Sequence, residues 1–185
     1  NDGTLTKAFR DRGLACVACE PASNLSDELA LNSDVMINDF WSYDAYCTAI
    51  AGTRFASKRP KIVTAIGMFY DLDDPIKFVS DVAKVMHDDG IFVAQLMCLD
   101  NMVDTNDVGN LCHEHIEFYT LKSLDYLFTQ CGLEITNVES NAVNGGSYRI
   151  VGKKYTSGSI SFPDLNPRDQ LNAFFKTIEV NKQKT

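Results

Sequence analysis

Short apolar runs alternate with helical patterns along this chain, and that alternation restricts it to an open, mostly parallel sheet covered by helices. The spacing predicts a helix over 4–12 that ends at Gly13, a buried strand over 15–20, a helix over 23–32, a short strand over 35–38 and a helix over 43–55. A strand over 61–67 then stops in the loop Met68-Phe69-Tyr70-Asp71. Pro75 stands where the first turn of a helix tolerates proline, and Ile76, Val79, Val82, Ala83 and Met86 follow at helical spacing. Asp89-Gly90 turns the chain into a strand over 91–96, and a helix over 121–131 is closed by Gly132. Between them, 100–116 carries no sustained period and is expected to hold short helical pieces. Strands over 133–139 and 148–152 form an antiparallel pair about an Asn-Gly-Gly turn.

Beyond Lys154 the composition shifts to Thr, Ser, Gly and Pro, which reads as a linker leading to a helix over 166–182. The expected layout is one domain over 1–155, followed by a linker and helix over 156–185 that begin a further domain. Both ends read as cut, because the turn at Asn1-Asp2-Gly3-Thr4 normally receives a strand and the last helix has nothing to pack against.

Charge narrows the partners. Seventeen basic against 25 acidic residues give a net charge of −8, the wrong sign for gripping phosphate backbones, so nucleic acid is not an expected partner. No apolar run approaches a membrane span and the start lacks a signal peptide's features, so the expected location is the cytoplasm. The six cysteines lie scattered through apolar segments, which suits reduced thiols better than a disulfide framework.

Chemistry concentrates at Cys112-His113-Glu114-His115. Two of the three histidines stand there with a carboxylate between them, so the groups best suited to move protons near neutral pH share one point. Further on comes Asn144-Gly145-Gly146-Ser147-Tyr148-Arg149. Together with Asn1-Asp2-Gly3-Thr4-Leu5 and Glu20-Pro21-Ala22, these motifs follow the order and approximate spacing of S-adenosylmethionine-dependent methyltransferases, and the chain over about 1–155 resembles the sugar C-methyltransferases of deoxysugar biosynthesis.

The resemblance implies an α/β, Rossmann-like seven-stranded methyltransferase sheet with helices on both faces, here lacking the usual first strand. S-adenosylmethionine would lie across the carboxyl ends of the strands. Asn1, Asp2 and Gly3 would form the cofactor turn, where glycine permits close backbone approach. Glu20 would accept hydrogen bonds from the ribose hydroxyls. Asp39 would reach the adenine amino group, with Phe40 against the ring and Ala65 and Ile66 on its other side.

The sulfonium carbon is already electrophilic, so the protein's task is to create and align a nucleophile. Methylation at carbon beside a ketone needs a base and something to stabilise the enolate. The resemblance assigns the base to His115, and an imidazole titrates near 6.5 when unperturbed. Glu114 binds substrate or orients the ring, and His113 supports the loop, sharing a side with His115 if the segment is extended. Tyr70, Asp71 and Ser147 are expected substrate contacts, and Tyr148 or Arg149 would meet a diphosphate. A plain hairpin turn accounts equally well for the glycines.

The chain departs from the family pattern at two substrate-facing positions, Cys112 where a tyrosine is usual and Asp71 where a histidine is usual. The expected partner is a small-molecule substrate, foremost a nucleotide-linked sugar and alternatively another small keto or acidic metabolite, and a homodimer built on an open sheet edge is a further expectation. Two other classes compete: a two-histidine metal enzyme using His113 and His115, and a non-catalytic relative.

Overall fold

The structure, a computed structural model, describes residues 2–155 and 167–182. They separate into two compact units, Asn1–Arg59 and Pro60–Thr185.

The first unit opens with α1 (Thr4–Arg10), followed by β1 (Val17–Cys19), a 3-10 turn over Ser23–Leu25, α2 (Ser26–Asn32), β2 (Val35–Ile37) and α3 (Tyr43–Ile50). β1 and β2 pair in parallel, with Val17 opposite Val35 and Cys19 opposite Ile37. Asp34 fixes the entry to β2, accepting from the Cys16 amide at 2.9 Å and pairing with Arg54 at 2.6 Å. Ala18, Leu29, Ile37, Tyr46 and Ile50 form the interior. The expected helix over 23–32 begins as a 3-10 turn rather than on a side-chain cap. The helix over 43–55 stops early, because Ala51 leaves the α region at ψ 131° and Gly52 follows at φ +74°.

The second unit contains β3 (Ile62–Ile66), a 3-10 turn over Phe69–Asp71, α4 (Pro75–Val85), β4 (Ile91–Met97), α5 (Leu99–Thr105), α6 (Leu121–Gln130), β5 (Leu133–Asn141), a 3-10 turn over Val143–Gly145, β6 (Ser147–Lys154) and α7 (Pro167–Lys182). Pro75 begins α4 as the sequence requires, with the Asp74 carboxylate accepting from the Lys77 amide at 2.9 Å. Thr120 and Ser123 form a reciprocal cap on α6. Phe69, Phe92 and Phe128 anchor the core, and Phe92 and Phe128 stack with centroids 5.5 Å apart. α7 packs against α5, with Phe174 buried. Asn166 and the expected linker over 156–166 lie outside the described residues.

The architecture is the expected α/β arrangement of strands and helices, with a mixed sheet. Six strands lie among the described residues, as a pair β1-β2 and a four-stranded sheet ordered β3-β4-β6-β5. β3 and β4 are parallel, whereas β6 runs antiparallel to both β4 and β5. The cause is the tight turn between β5 and β6, which reverses the chain and inserts β6 beside β4. No helix among the described residues is long and apolar enough to cross a membrane.

Candidate active site

In the second unit the Tyr70 turn, the segment between α5 and α6, and the turn between β5 and β6 converge. β3 ends at Ile66, Gly67 takes φ +68°, and the chain enters the 3-10 turn that buries Phe69 and Tyr70. The Tyr70 hydroxyl donates to the Gly67 carbonyl at 3.1 Å, while the Tyr70 carbonyl accepts from the amides of Ile116 and Glu117 at 3.1 and 3.0 Å. Those bonds fasten the histidine segment to the end of β3. The Tyr70 phenol is pushed above its ordinary value by burial and then by the Asp71 charge, with a hydrogen bond from the Asn144 side chain acting the other way.

His115 is half-buried against the Tyr70 ring. Its Nδ1 lies 2.9 Å from the Asn110 carbonyl, which also accepts from the Cys112 amide at 3.2 Å. Partial burial raises the Asp71 carboxyl, with His115 opposing and Glu114 reinforcing the effect, so the three groups share one neighbourhood.

His113 and Glu114 are not packed with His115. Their side chains are 93% and 76% exposed, and His113 Nε2 comes only within 4.0 Å of Glu114 Oε1. The expectation that both histidines share a side fails because the segment is a turn, closed by the His115 amide bonding to the Cys112 carbonyl at 3.3 Å. Short helical pieces were expected around this motif. Among the described residues that piece is α5, which ends ahead of the motif at Thr105 and is capped by Asn106 with φ 52°.

The second turn meets the same segment. Asn144 has φ 51°, and its carbonyl accepts from the Asn110 carboxamide at 3.1 Å. Gly145 and Gly146 are required here, since a Cβ at either would collide with Asp107 or Asn101 respectively. Ser147 is buried and its hydroxyl donates to the Val143 carbonyl at 2.8 Å, closing its own turn. Tyr148 is buried and donates to Asp100 at 2.7 Å. Arg149 projects from the opposite side of β6, exposed and paired with Glu139 on β5. Cys112 is exposed beside the histidines.

In the first unit Glu20 and Asp39 follow the carboxyl ends of the parallel strands β1 and β2. The Glu20 carboxylate accepts from the Ala22 amide at 2.9 Å, and Asn38 ties the two strand ends together by donating to the Glu20 carbonyl at 2.9 Å. Asp39 caps the Phe40 amide at 2.7 Å, and the Phe40 ring is 76% exposed. Asp2 accepts from the Thr4 amide and hydroxyl at 3.0 and 2.8 Å, which holds its carboxyl below the ordinary value. Gly3 takes φ +83°, and a Cβ there would lie 2.9 Å from Asn32 Cβ. Asn1 lies outside the described residues. In the second unit Ala65 is buried while Ile66, on the other face of β3, is exposed.

Asp107 and Asn110 organise the histidine segment, yet neither stands out in the sequence. Their one signal is the Asp-x-Gly-Asn run, which favours a side-chain-closed turn. No group of three or more His, Cys, Asp or Glu among the described residues is placed to hold a metal ion.

A family model described as a methyltransferase domain matches residues 1–138. The C-methyltransferase NovU of Streptomyces niveus is 27% identical over 149 residues, an alignment that covers 80% of this chain and 34% of that protein. The chain therefore spans about a third of this relative's length. Among solved structures, a putative methyltransferase bound to the Haloferax volcanii Trm112 activator superposes with a TM-score of 0.63 at 13% identity, covering 84% of this chain and 79% of that one. CcbJ methyltransferase from Streptomyces caelestis gives 0.56 at 12% identity over 80% and 78% of the two chains. CalO1, a methyltransferase in calicheamicin biosynthesis, gives 0.52 at 17% identity over 82% and 45%.

Proposed function

The chain belongs to the methyltransferase-domain family, and from that premise we propose that it takes part in S-adenosylmethionine-dependent methylation of a small molecule at a carbon next to a ketone, foremost in a nucleotide-linked deoxysugar. The observation that carries the reading is His115, held between the Tyr70 ring and the Asn110 carbonyl at the end of β3. A base for a carbon acid must be fixed in orientation and sheltered on one side, and these contacts do both. The C-methyltransferase character of NovU supports the choice of carbon over oxygen.

The donor set suits the cofactor. Glu20 and Asp39 offer carboxylate oxygens at the ends of neighbouring parallel strands, and Phe40 presents an open ring beside them, a combination that fits ribose hydroxyls and adenine. When bound, the cofactor would supply an electrophilic methyl carbon. The chain's own residues do the rest: His115 takes the proton from the carbon, Tyr70 holds the imidazole, and Asp71 lies beside it toward the substrate. Arg149 would contact a diphosphate only after release from Glu139.

In this reading residues 1–155 form the methyltransferase domain and 156–185 lead out of it. Among the described residues β3 pairs with β4 alone, and Ile62 and Ile66 on it are exposed, which supports pairing with a second copy. Sedimentation would show a dimer, and a clean monomer would reject that part.

Calorimetric titration with S-adenosylmethionine and S-adenosylhomocysteine tests the cofactor. Saturable binding of both is expected, and no heat with either rejects the methyltransferase reading.

A further inference from the structure

The segment from Asp107 to His115 is closed by a set of hydrogen bonds that share two residues. One Asp107 carboxylate oxygen accepts from the Gly109 amide at 2.7 Å and the other from the Asn110 carboxamide at 2.8 Å. The same carboxamide donates to the Asn144 carbonyl at 3.1 Å. Both of its donor hydrogens are therefore engaged, one within the segment and one across to the turn before β6. Gly145 lets that turn seat directly on the Asp107 carboxylate. With its side chain held from two directions, Asn110 presents its backbone carbonyl to the Cys112 amide and to His115 Nδ1.

A carbonyl oxygen has no proton to give. A contact of 2.9 Å between it and a ring nitrogen is a hydrogen bond only if the nitrogen carries the hydrogen. The neutral ring is then protonated at Nδ1, and its basic lone pair resides at Nε2. We infer that Asp107 and Asn110 are positioning residues that set the tautomer of His115 through the Asn110 carbonyl, leaving Nε2 as the proton acceptor. When Nε2 takes a proton the ring becomes a cation with hydrogen on both nitrogens, and the Nδ1 bond to the carbonyl strengthens as its donor gains charge. The clip holds the ring in the form that can react and steadies it afterwards. It also joins the histidine segment to the Asn144–Gly145 turn, so displacement of either is felt by the other.

The catalytic side of this inference rests on the reading of His115 as the base. The tautomer does not, and the experiment separates them. Two-bond proton–nitrogen correlation spectra of the chain, labelled at histidine and recorded where the ring is neutral, report which nitrogen of His115 carries hydrogen. Nδ1–H is expected. Nε2–H in the unaltered protein overturns the inference, without recourse to a variant or to activity. In Asn110→Ala the ring is expected to shift toward the Nε2–H form, and turnover to fall roughly 10- to 100-fold, the scale on which loss of an orienting partner weakens a functional imidazole, with cofactor affinity unchanged. An unaltered tautomer in a folded Asn110→Ala also overturns it. If Nδ1–H is found but His115→Ala retains full turnover, the base assignment fails while the positioning device stands.

Discussion

The rings of Tyr70 and His115 meet edge to face, with centroids 4.5 Å apart and planes at 63°. One residue belongs to the turn after β3 and the other to the segment after α5, so a single aromatic contact joins two stretches that hold separate parts of the site. It covers part of the imidazole, which is half-buried.

Removing the hydroxyl alone should cost little. Tyr70→Phe loses the bond to the Gly67 carbonyl and keeps the ring, an expected loss of about 1 kcal/mol in a urea unfolding curve. Tyr70→Ala deletes a buried ring and should cost about 3–5 kcal/mol. Equal losses from the two would show that the ring contact with His115 contributes nothing.

His115→Ala should lower turnover by roughly 10²–10⁴-fold, the contribution of a positioned base, and leave cofactor affinity as it was. Glu114→Gln, at a side chain standing in solvent, should move KM for the methyl acceptor more than kcat. Steady-state kinetics on both variants check this, and an unimpaired His115→Ala removes the imidazole from the mechanism.

Asp71 makes stability depend on pH in a sense opposite to a salt-bridged acid. Burial lifts its carboxyl above 3.8 in the folded protein, so between the unfolded and folded values the native state holds a proton that the unfolded chain has released. Stability contributed by this group therefore falls as pH rises through that window. Asp71→Asn should be more stable than the parent at neutral pH and show a flatter profile on the acidic side, read from urea midpoints across pH. A variant less stable at neutral pH would contradict the sign.

The thiols should react in order of access. Cys112 is exposed, whereas Cys98 is buried and Cys19 is lifted to about 11 by burial and by the Asp39 charge. Iodoacetamide at neutral pH is expected to modify Cys112 first and Cys19 and Cys98 last, as peptide mass spectrometry would record. Labelling of Cys98 at the rate of Cys112 would count against the burial of Cys98 at the end of β4.

Local chemistry accounts for what was legible in the sequence. Pro75 behind Asp74, and Gly132 at the end of α6, are signals that act within a few residues, and the helices they bound lie where expected. The fold brings Tyr70, Asp71 and His115 into one neighbourhood. The Asp107–Asn110 clip was not legible, because its meaning depends on Asn144, which is distant in sequence and near only after β5 and β6 have formed. Strand alternation sets Arg149 on the side opposite Tyr148, and the register with Glu139 supplies its partner. Neither the register nor the face can be counted from the motif itself.

Strands three residues long, resting on Ala18, Leu29, Ile37, Tyr46 and Ile50, give the Asn1–Arg59 unit a thin apolar interior. Segments so lightly anchored open at lower free energy than the phenylalanine-centred sheet. Glu20 and Asp39 hang from those strands, so a nucleoside settling there would announce itself as slowed deuterium uptake across 17–19 and 35–37.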